Sequence, residues 1–279
     1  MNVVSTLEQV REQIAAWRRQ TLTIGFVPTM GYLHEGHLSL VDEAARQADR
    51  IVVSIYVNPT QFDPTEDLDV YPRDFDRDER LCRERGVALL FYPSNETMYT
   101  PDHSTWVQEE SLTGALCGQS RPTHFRGVTT VVAKLFHIVQ PDVAVFGRKD
   151  AQQALVIQRM VRDLNIPVSI CTVPIVREPD GLAMSSRNRY LTGDQRQRAL
   201  CLNRSLREAV GLHAQGERSA KCLVNIIREA VRQAEGNLDY VELVSRETLH
   251  PLEMVNEPAL LAVAAHFGPT RLLDNADLG

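Results

Sequence analysis

Five apolar runs, each followed by a stretch of helical spacing, constrain this chain more than any other feature. They lie at 22–27, 51–57, 87–92, 143–146 and 168–173. Each has the length of a buried strand and most are bounded by Gly, Pro or charged residues. After the first run, Leu38, Val41, Ala45 and Ala48 recur at helical spacing, and residues 75–85, 128–139 and 151–164 read as further helices. Strands alternating with helices in this way build βαβ units. The predicted fold class is α/β: a Rossmann-like, doubly wound parallel sheet. A helix precedes it, with Leu7, Val10, Ile14 and Trp17 as its apolar stripe and Ser5-x-x-Glu8 as a capping box.

The pattern changes near Pro174. Two helical stretches occupy 194–235, separated by Gly211 and Gly216, and three short apolar runs follow at 240–244, 260–265 and 271–273. The expected organisation is a nucleotide-binding catalytic domain over 1–176 and a smaller C-terminal α+β domain over 177–279. Two long segments, 59–73 and 93–127, interrupt the first domain, with Gly114, Gly118 and Gly127 as candidate hinges. Segments of that length in compact domains serve as lids or as ordinary surface excursions.

The formal net charge of −6 argues against a broad nucleic-acid surface. No apolar run approaches the ~20 residues of a membrane span, and the first twenty residues do not form a signal peptide. Cys82, Cys117, Cys171, Cys201 and Cys222 are scattered and odd in number. That fits reduced, inert thiols in a cytoplasmic protein.

Three clusters carry chemistry. The first is Gly25-Phe-Val-Pro-Thr-Met30-Gly31-Tyr32-Leu33-His34-Glu35-Gly36-His37, where a strand ends and a helix begins. His34 and His37 share one face of the first turn. Backbone N–H groups and the helix dipole favour an anion there, and Gly36 leaves the backbone open to it. Taken alone, the spacing equally suits two partly exposed histidines. Zinc is disfavoured, since no Cys is near and no His-Glu-x-x-His pattern occurs. What favours phosphate is position, at the carboxyl end of a strand of an open α/β sheet.

The second cluster, Gly147-Arg148-Lys149-Asp150-Ala-Gln152-Gln153, follows the fourth run. Gly147 permits close approach, Lys149 supplies a point charge, Asp150 suits a helix cap and Gln153 can bond a carboxylate or hydroxyl. The third, Val176 to Asn188, holds Met184, Ser185, Ser186 and Arg187 after a Gly-containing turn. Hydroxyls and a guanidinium grip phosphate oxygens. Three such clusters at strand ends describe a nucleoside triphosphate site without a Walker-type loop.

These residues resemble a known pattern. His34-Glu-Gly-His37 is similar to the His-x-Gly-His signature of nucleotidyltransferases and class I aminoacyl-tRNA synthetases, and Met184-Ser-Ser-Arg-Asn188 to their second signature loop. With Asn58-Pro-Thr-Gln61-Phe, Tyr71-Pro-Arg73 and Phe146-Gly-Arg-Lys-Asp-Ala-Gln-Gln153, the order resembles the pantoate–β-alanine ligase family, densely over 21–192. The resemblance implies ATP-dependent condensation of (R)-pantoate with β-alanine through a pantoyl adenylate, releasing AMP and pyrophosphate. It implies His37, His34 and Lys149 as catalytic. Met30, Gly31, Tyr32, Leu33, Glu35, Gly36, Gly147, Arg148, Asp150, Val176, Met184, Ser185, Ser186 and Arg187 would complete ATP binding. Gln61 and Gln153 would hold pantoate, with Gln61 also near β-alanine. Mg2+ is expected to be held by phosphates and water, with no protein ligand assigned in Asp74-Phe-Asp-Arg-Asp78-Glu-Arg-Leu81. A homodimer is implied, with no nucleic-acid or membrane partner. A dinucleotide-forming transferase of the same superfamily and a non-catalytic nucleotide sensor are the alternatives.

Overall fold

The computed structural model describes residues 1–64 and 66–279. They form two units: 1–109 with 123–148 and 156–174, and 110–122 with 149–155 and 175–279. The main changeover falls after Pro174. Segments 110–122 and 149–155, assigned from sequence to the first domain, belong to the second unit instead. Their membership depends on non-local contacts, which composition along the chain does not register.

In chain order the first unit begins with β1 (Asn2–Val4), α1 (Leu7–Arg18), β2 (Ile24–Thr29), α2 (Glu35–Gln47), β3 (Arg50–Ile55), α3 (Phe75–Glu84), β4 (Leu89–Phe91) and α4 (Asn95–Met98). After α5 (Cys117–Ser120), which belongs to the second unit, come α6 (His124–Val139), β5 (Val143–Gly147), α7 (Ala151–Asp163), whose first five residues belong to the second unit, and β6 (Ser169–Val173). The six strands pair in parallel in the order β1-β4-β3-β2-β5-β6. Strand β1 escapes the sequence reading because three residues are too few to show a period. The helix cap also differs. Thr6, not Ser5, caps α1, and it exchanges hydrogen bonds with Gln9.

The continuous apolar runs have a simple cause: both faces of the sheet are covered. Phe26, Val52, Phe91, Ala144 and Phe146 face α1 and α6, against Ile14, Trp17, Val132 and Phe136. Their neighbours Val27, Val53, Leu90 and Val145 face the other way, against Leu40, Val41 and Ala44 of α2. Neighbours in sequence thus serve two different layers.

Helix α6 begins at His124, four residues before the stretch expected from sequence, and runs through Gly127. Gly127 is not a hinge. A Cβ there would lie 2.4 Å from the carbonyl oxygen of Thr60 and 2.7 Å from the nitrogen of Gln61. The missing side chain lets α6 press onto the 3₁₀ turn Pro59–Gln61.

The second unit continues with α8 (Gly193–Ala199), α9 (Cys201–Ala214) and α10 (Ala220–Gln233), then β7 (Asn237–Ser245), β8 (Ala259–Phe267) and β9 (Thr270–Leu278), an antiparallel sheet in that order. Leu206, Leu223, Ile227 and Val231 pack on Leu261, Val263, Ala265 and Phe267. Gly211 lies inside α9 rather than between helices. The break falls at Gly216, whose φ is +108°. Arg177 grips Asp274 with two bonds of 2.6 and 3.0 Å, and the Asp274 side chain is only 2% exposed. An Arg177→Ala chain would leave that carboxylate buried without its cation. A loss of about 3 kcal/mol is expected in urea unfolding.

The five cysteines are free thiols. Burial pushes the Cys82 thiol up to about 12 and Cys201 to about 11, so neither is an activated nucleophile at neutral pH. Among the described residues no helix is long and apolar enough to cross a membrane.

Candidate active site

The order of the sheet reverses between β2 and β5, so a topological switch point lies at their carboxyl ends. The step from β2 into α2 carries His34 as the helix cap and His37 in the first turn, β5 ends at Gly147 with Arg148 next, and the turn after β3 carries Gln61.

At the β2–α2 turn the chain makes two left-handed residues in a row, Gly31 at φ +83° and Tyr32 at φ +51°. Thr29 Oγ1 accepts from the Gly31 N–H at 3.1 Å and donates to the Ser54 carbonyl. Asp78, on α3, accepts from the N–H groups of Tyr32 and Leu33 at 2.6 and 2.7 Å. The Arg77 guanidinium lies 5.2 Å from the centre of the Tyr32 ring. Burial pushes the Asp78 carboxyl up, against these two N–H groups and Arg77, which draw it down. Sequence inspection places Asp78 in a charged helix and assigns it nothing. Its partners lie two elements away, so spacing carries no signal of them.

His34 caps α2. Its Nδ1 accepts from the Gly36 N–H at 3.1 Å, while the His37 Nδ1 accepts from the His34 N–H at 3.4 Å. The rings stand 4.1 Å apart, tilted by 35°. With Nδ1 of each ring held as an acceptor, the neutral ring carries its proton on Nε2. Both imidazoles are therefore set as Nε2–H donors. This revises the sequence expectation that the first-turn backbone would offer its N–H groups to an anion. The Gly36 N–H is taken by His34 Nδ1, and those of His37 and Leu38 by the His34 carbonyl. Three N–H groups of the first turn are thus engaged within it. The Glu35 side chain pairs with Arg85 at 3.0 Å.

Gln61 and Met30 come together. Gln61 Nε2 lies 3.1 Å from the Met30 sulfur, and Asn58 Nδ2 donates to Gln61 Oε1 at 3.2 Å. The backbone of Gln61 is held by His124 Nδ1 at 2.8 Å. The sequence assigns no role to Asn58 or His124, because they act on Gln61 through the folded turn.

The second unit holds the remaining expected site residues. Lys149 and Asp150 lie in a 3₁₀ turn leading into α7, with Lys149 Nζ 3.8 Å from Asp150 Oδ1. The Lys149 carbonyl accepts from Asn275. Gln153 follows one turn later and is half-buried, while its neighbour Gln152 is buried and fixes 110–122 through Leu112, Ala115 and Cys117. A hairpin brings Val176 and Met184 together: the Met184 N–H donates to the Val176 carbonyl, and Gly181 turns at φ +96°. Ser185 caps the 3₁₀ turn Ser186–Tyr190, accepting from the Arg187 N–H, and Ser186 is buried. Glu178, in the same hairpin, bonds Asn188 and Arg196. The site residues expected from sequence thus fall into two sets. One is Met30 to His37, Gln61, Gly147 and Arg148; the other is Lys149, Asp150, Gln153, Val176 and residues 184–187. Among the described residues no group of three His, Cys, Asp or Glu side chains is placed to hold a metal ion.

Fold and turn define the class first: a doubly wound α/β protein with a His-x-Gly-His turn at its switch point. The profile of the pantoate–β-alanine ligase family matches residues 2–277. The pantothenate synthetases of Thermotoga petrophila and Pelotomaculum thermopropionicum are each 54% identical over 280 residues, covering 100% of this chain and 100% and 99% of theirs. The crystal structure of Thermus thermophilus pantothenate synthetase matches with a TM-score of 0.94 at 47% identity, over 99% of both chains. That of the Francisella tularensis pantoate–β-alanine ligase, complexed with β,γ-ATP and β-alanine, matches at 0.83 and 33%, over 99% of this chain and 97% of that one. The chain belongs to the pantoate–β-alanine ligase family of enzymes.

Proposed function

We propose that the ligation of (R)-pantoate to β-alanine runs in two steps on Mg-ATP. In the first, a pantoate carboxylate oxygen attacks the α-phosphorus. The bond to the bridging oxygen breaks and pyrophosphate leaves. In the second, the β-alanine amine attacks the acyl carbon of pantoyl adenylate, the carbon–oxygen bond to AMP breaks, and the amine gives up a proton to solvent. The observation that carries this reading is the pair of imidazoles with Nδ1 turned to the backbone. Two fixed Nε2–H donors suit charge gathering on phosphate oxygens, and a carboxylate nucleophile needs no base. What remains is alignment and electrostatic stabilisation.

In this reading His34 and His37 face the phosphates, with His37 donating a hydrogen bond to the leaving pyrophosphate, and Lys149 balances phosphate charge. Residues 30–33, 35, 36, 147, 148, 150, 176 and 184–187 complete the ATP site, while Gln61 and Gln153 hold pantoate. The contact of Gln61 with Met30 supports placing pantoate beside the nucleotide loop. The Francisella relative, a complex with an ATP species and β-alanine, supports the co-substrates. The enzyme is taken to work in the cytoplasm as a homodimer, and sedimentation equilibrium tests the dimer.

Pyrophosphate release with ATP and pantoate, β-alanine withheld, tests the chemistry. A burst stoichiometric with enzyme is expected, followed by AMP and amide together once β-alanine is added. Formation of ADP and phosphate would overturn the adenylate step.

A further inference from the structure

We infer that Asp78 is a positioning residue of this enzyme: its carboxylate clamps the left-handed turn at Gly31 and Tyr32, and so aims the His34 and His37 rings at the nucleotide. The inference rests on the reading that residues 30–37 line the ATP site.

The Thr29 hydroxyl holds the Gly31 N–H, but Tyr32 needs a further hold. A left-handed conformation is unfavourable by roughly 1–2 kcal/mol for a residue with a Cβ, and Tyr32 adopts it directly after Gly31. Nor does packing close it in on every side. A cavity of about 360 Å3 adjoins the turn, lined by Gly31, Tyr32, Tyr56, Arg73, Asp78 and Tyr92 among others. Against that open side stands one carboxylate. Asp78 is 1% exposed, and burying it is unfavourable unless its oxygens are satisfied. They are: Oδ2 takes the Tyr32 N–H and Oδ1 the Leu33 N–H, a two-point grip on successive peptide groups. Leu33, itself buried, anchors the far end, and His34 begins the helix immediately after it. A tilt of this turn moves both rings, since His34 caps α2 and accepts from Gly36 while His37 accepts from His34.

Asparagine at 78 separates grip from bulk. It keeps the shape but offers one acceptor oxygen and sets an NH2 donor against the other N–H. The rates of the two half-reactions give a readout that a merely structural role would not split. For Asp78→Asn, pyrophosphate release from ATP and pantoate should fall about 100-fold, the scale of a 1 Å misplacement of catalytic groups. Attack of β-alanine on pre-formed pantoyl adenylate should change by less than about threefold, because that step asks nothing of the misaimed donors. Asp78→Glu keeps both acceptor oxygens but on a stem one methylene longer, which displaces the grip, and the same split between half-reactions is expected.

Wild-type rates in both half-reactions for Asp78→Asn overturn the inference. So does an equal fall in both, with a matching fall in Tm. Should Asp78→Asn not fold, Asp78→Glu decides: the split supports the clamp, and its absence overturns it. A wild-type enzyme that releases no pyrophosphate from ATP and pantoate would instead remove the adenylation reading.

Discussion

Replacing His37 with alanine is expected to lower pyrophosphate release from ATP and pantoate by about 10²- to 10³-fold, the scale for removing one preorganised donor. The ring does two jobs, and the variant loses both. Its Nε2–H is one of two donors held 4.1 Å apart between ring centres, and its Nδ1 accepts from the His34 N–H at the helix start. Losing the cap lowers stability by about 1 kcal/mol, which leaves the protein folded. His37→Asn separates the jobs: its side-chain oxygen suits the cap, but its NH2 group is too short to reach the place of the Nε2–H. Asparagine should therefore recover the melting temperature and not the rate. The His34 and His37 substitutions should also be non-additive, because each ring's place depends on the other's backbone. Rapid-quench measurement of pyrophosphate, with thermal melts of the same samples, checks each statement. Near-normal turnover of the alanine variant would remove His37 from catalysis.

Gly127→Ala carries the second large effect, and there propensity and structure disagree in sign. Glycine inside a helix is ordinarily less stable than alanine by about 1 kcal/mol, so the sequence of α6 alone suggests a stabilising change. In the folded chain the added methyl would stand 2.4 Å from the Thr60 oxygen and 2.6 Å from its carbonyl carbon. Both are backbone atoms of a turn tied to α6, through Asn58 Nδ2 to the Gly127 carbonyl and His124 Nδ1 to the Gln61 carbonyl. Neither side can rotate away. A net loss of about 3 kcal/mol is expected in urea unfolding, the upper part of the range for overpacking. Because the displaced turn carries Gln61, the KM for pantoate should rise by about tenfold or more, a difference near 1.4 kcal/mol. A stabilised variant with unchanged KM would show that the turn yields freely.

These two positions illustrate where sequence reasoning succeeds and stops. His34 and His37 are legible because what pairs them is local: three residues apart, at a strand end, on the first turn of a helix. Even so, the structure changes what they do, turning their inner nitrogens to the backbone. Gly127 reads as a hinge because a glycine between irregular and helical segments has that meaning more often than close packing. The turn it touches is far away in sequence. Asp78 is hidden for the same reason, as one acid among several charged residues of α3. Arg177 and Glu178 stand beside the expected phosphate cluster, yet each is held by a structural partner, Asp274 and Arg196.

The linear order of residues determined the alternation of buried strands with amphipathic helices, the parallel sheet this demands, and the His-x-Gly-His turn at a strand end. Each depends on side chains within a few positions of one another, where hydrophobic period and cap chemistry act directly. Tertiary structure alone decided the pairing of β1 with β4, the membership of 110–122 and 149–155 in the second unit, the clamp of Asp78 on Tyr32 and Leu33, and the seat of Gly127 on Thr60. Those features join groups that are remote along the chain. Their energies exist only once the sheet has ordered its strands, so no local pattern can announce them.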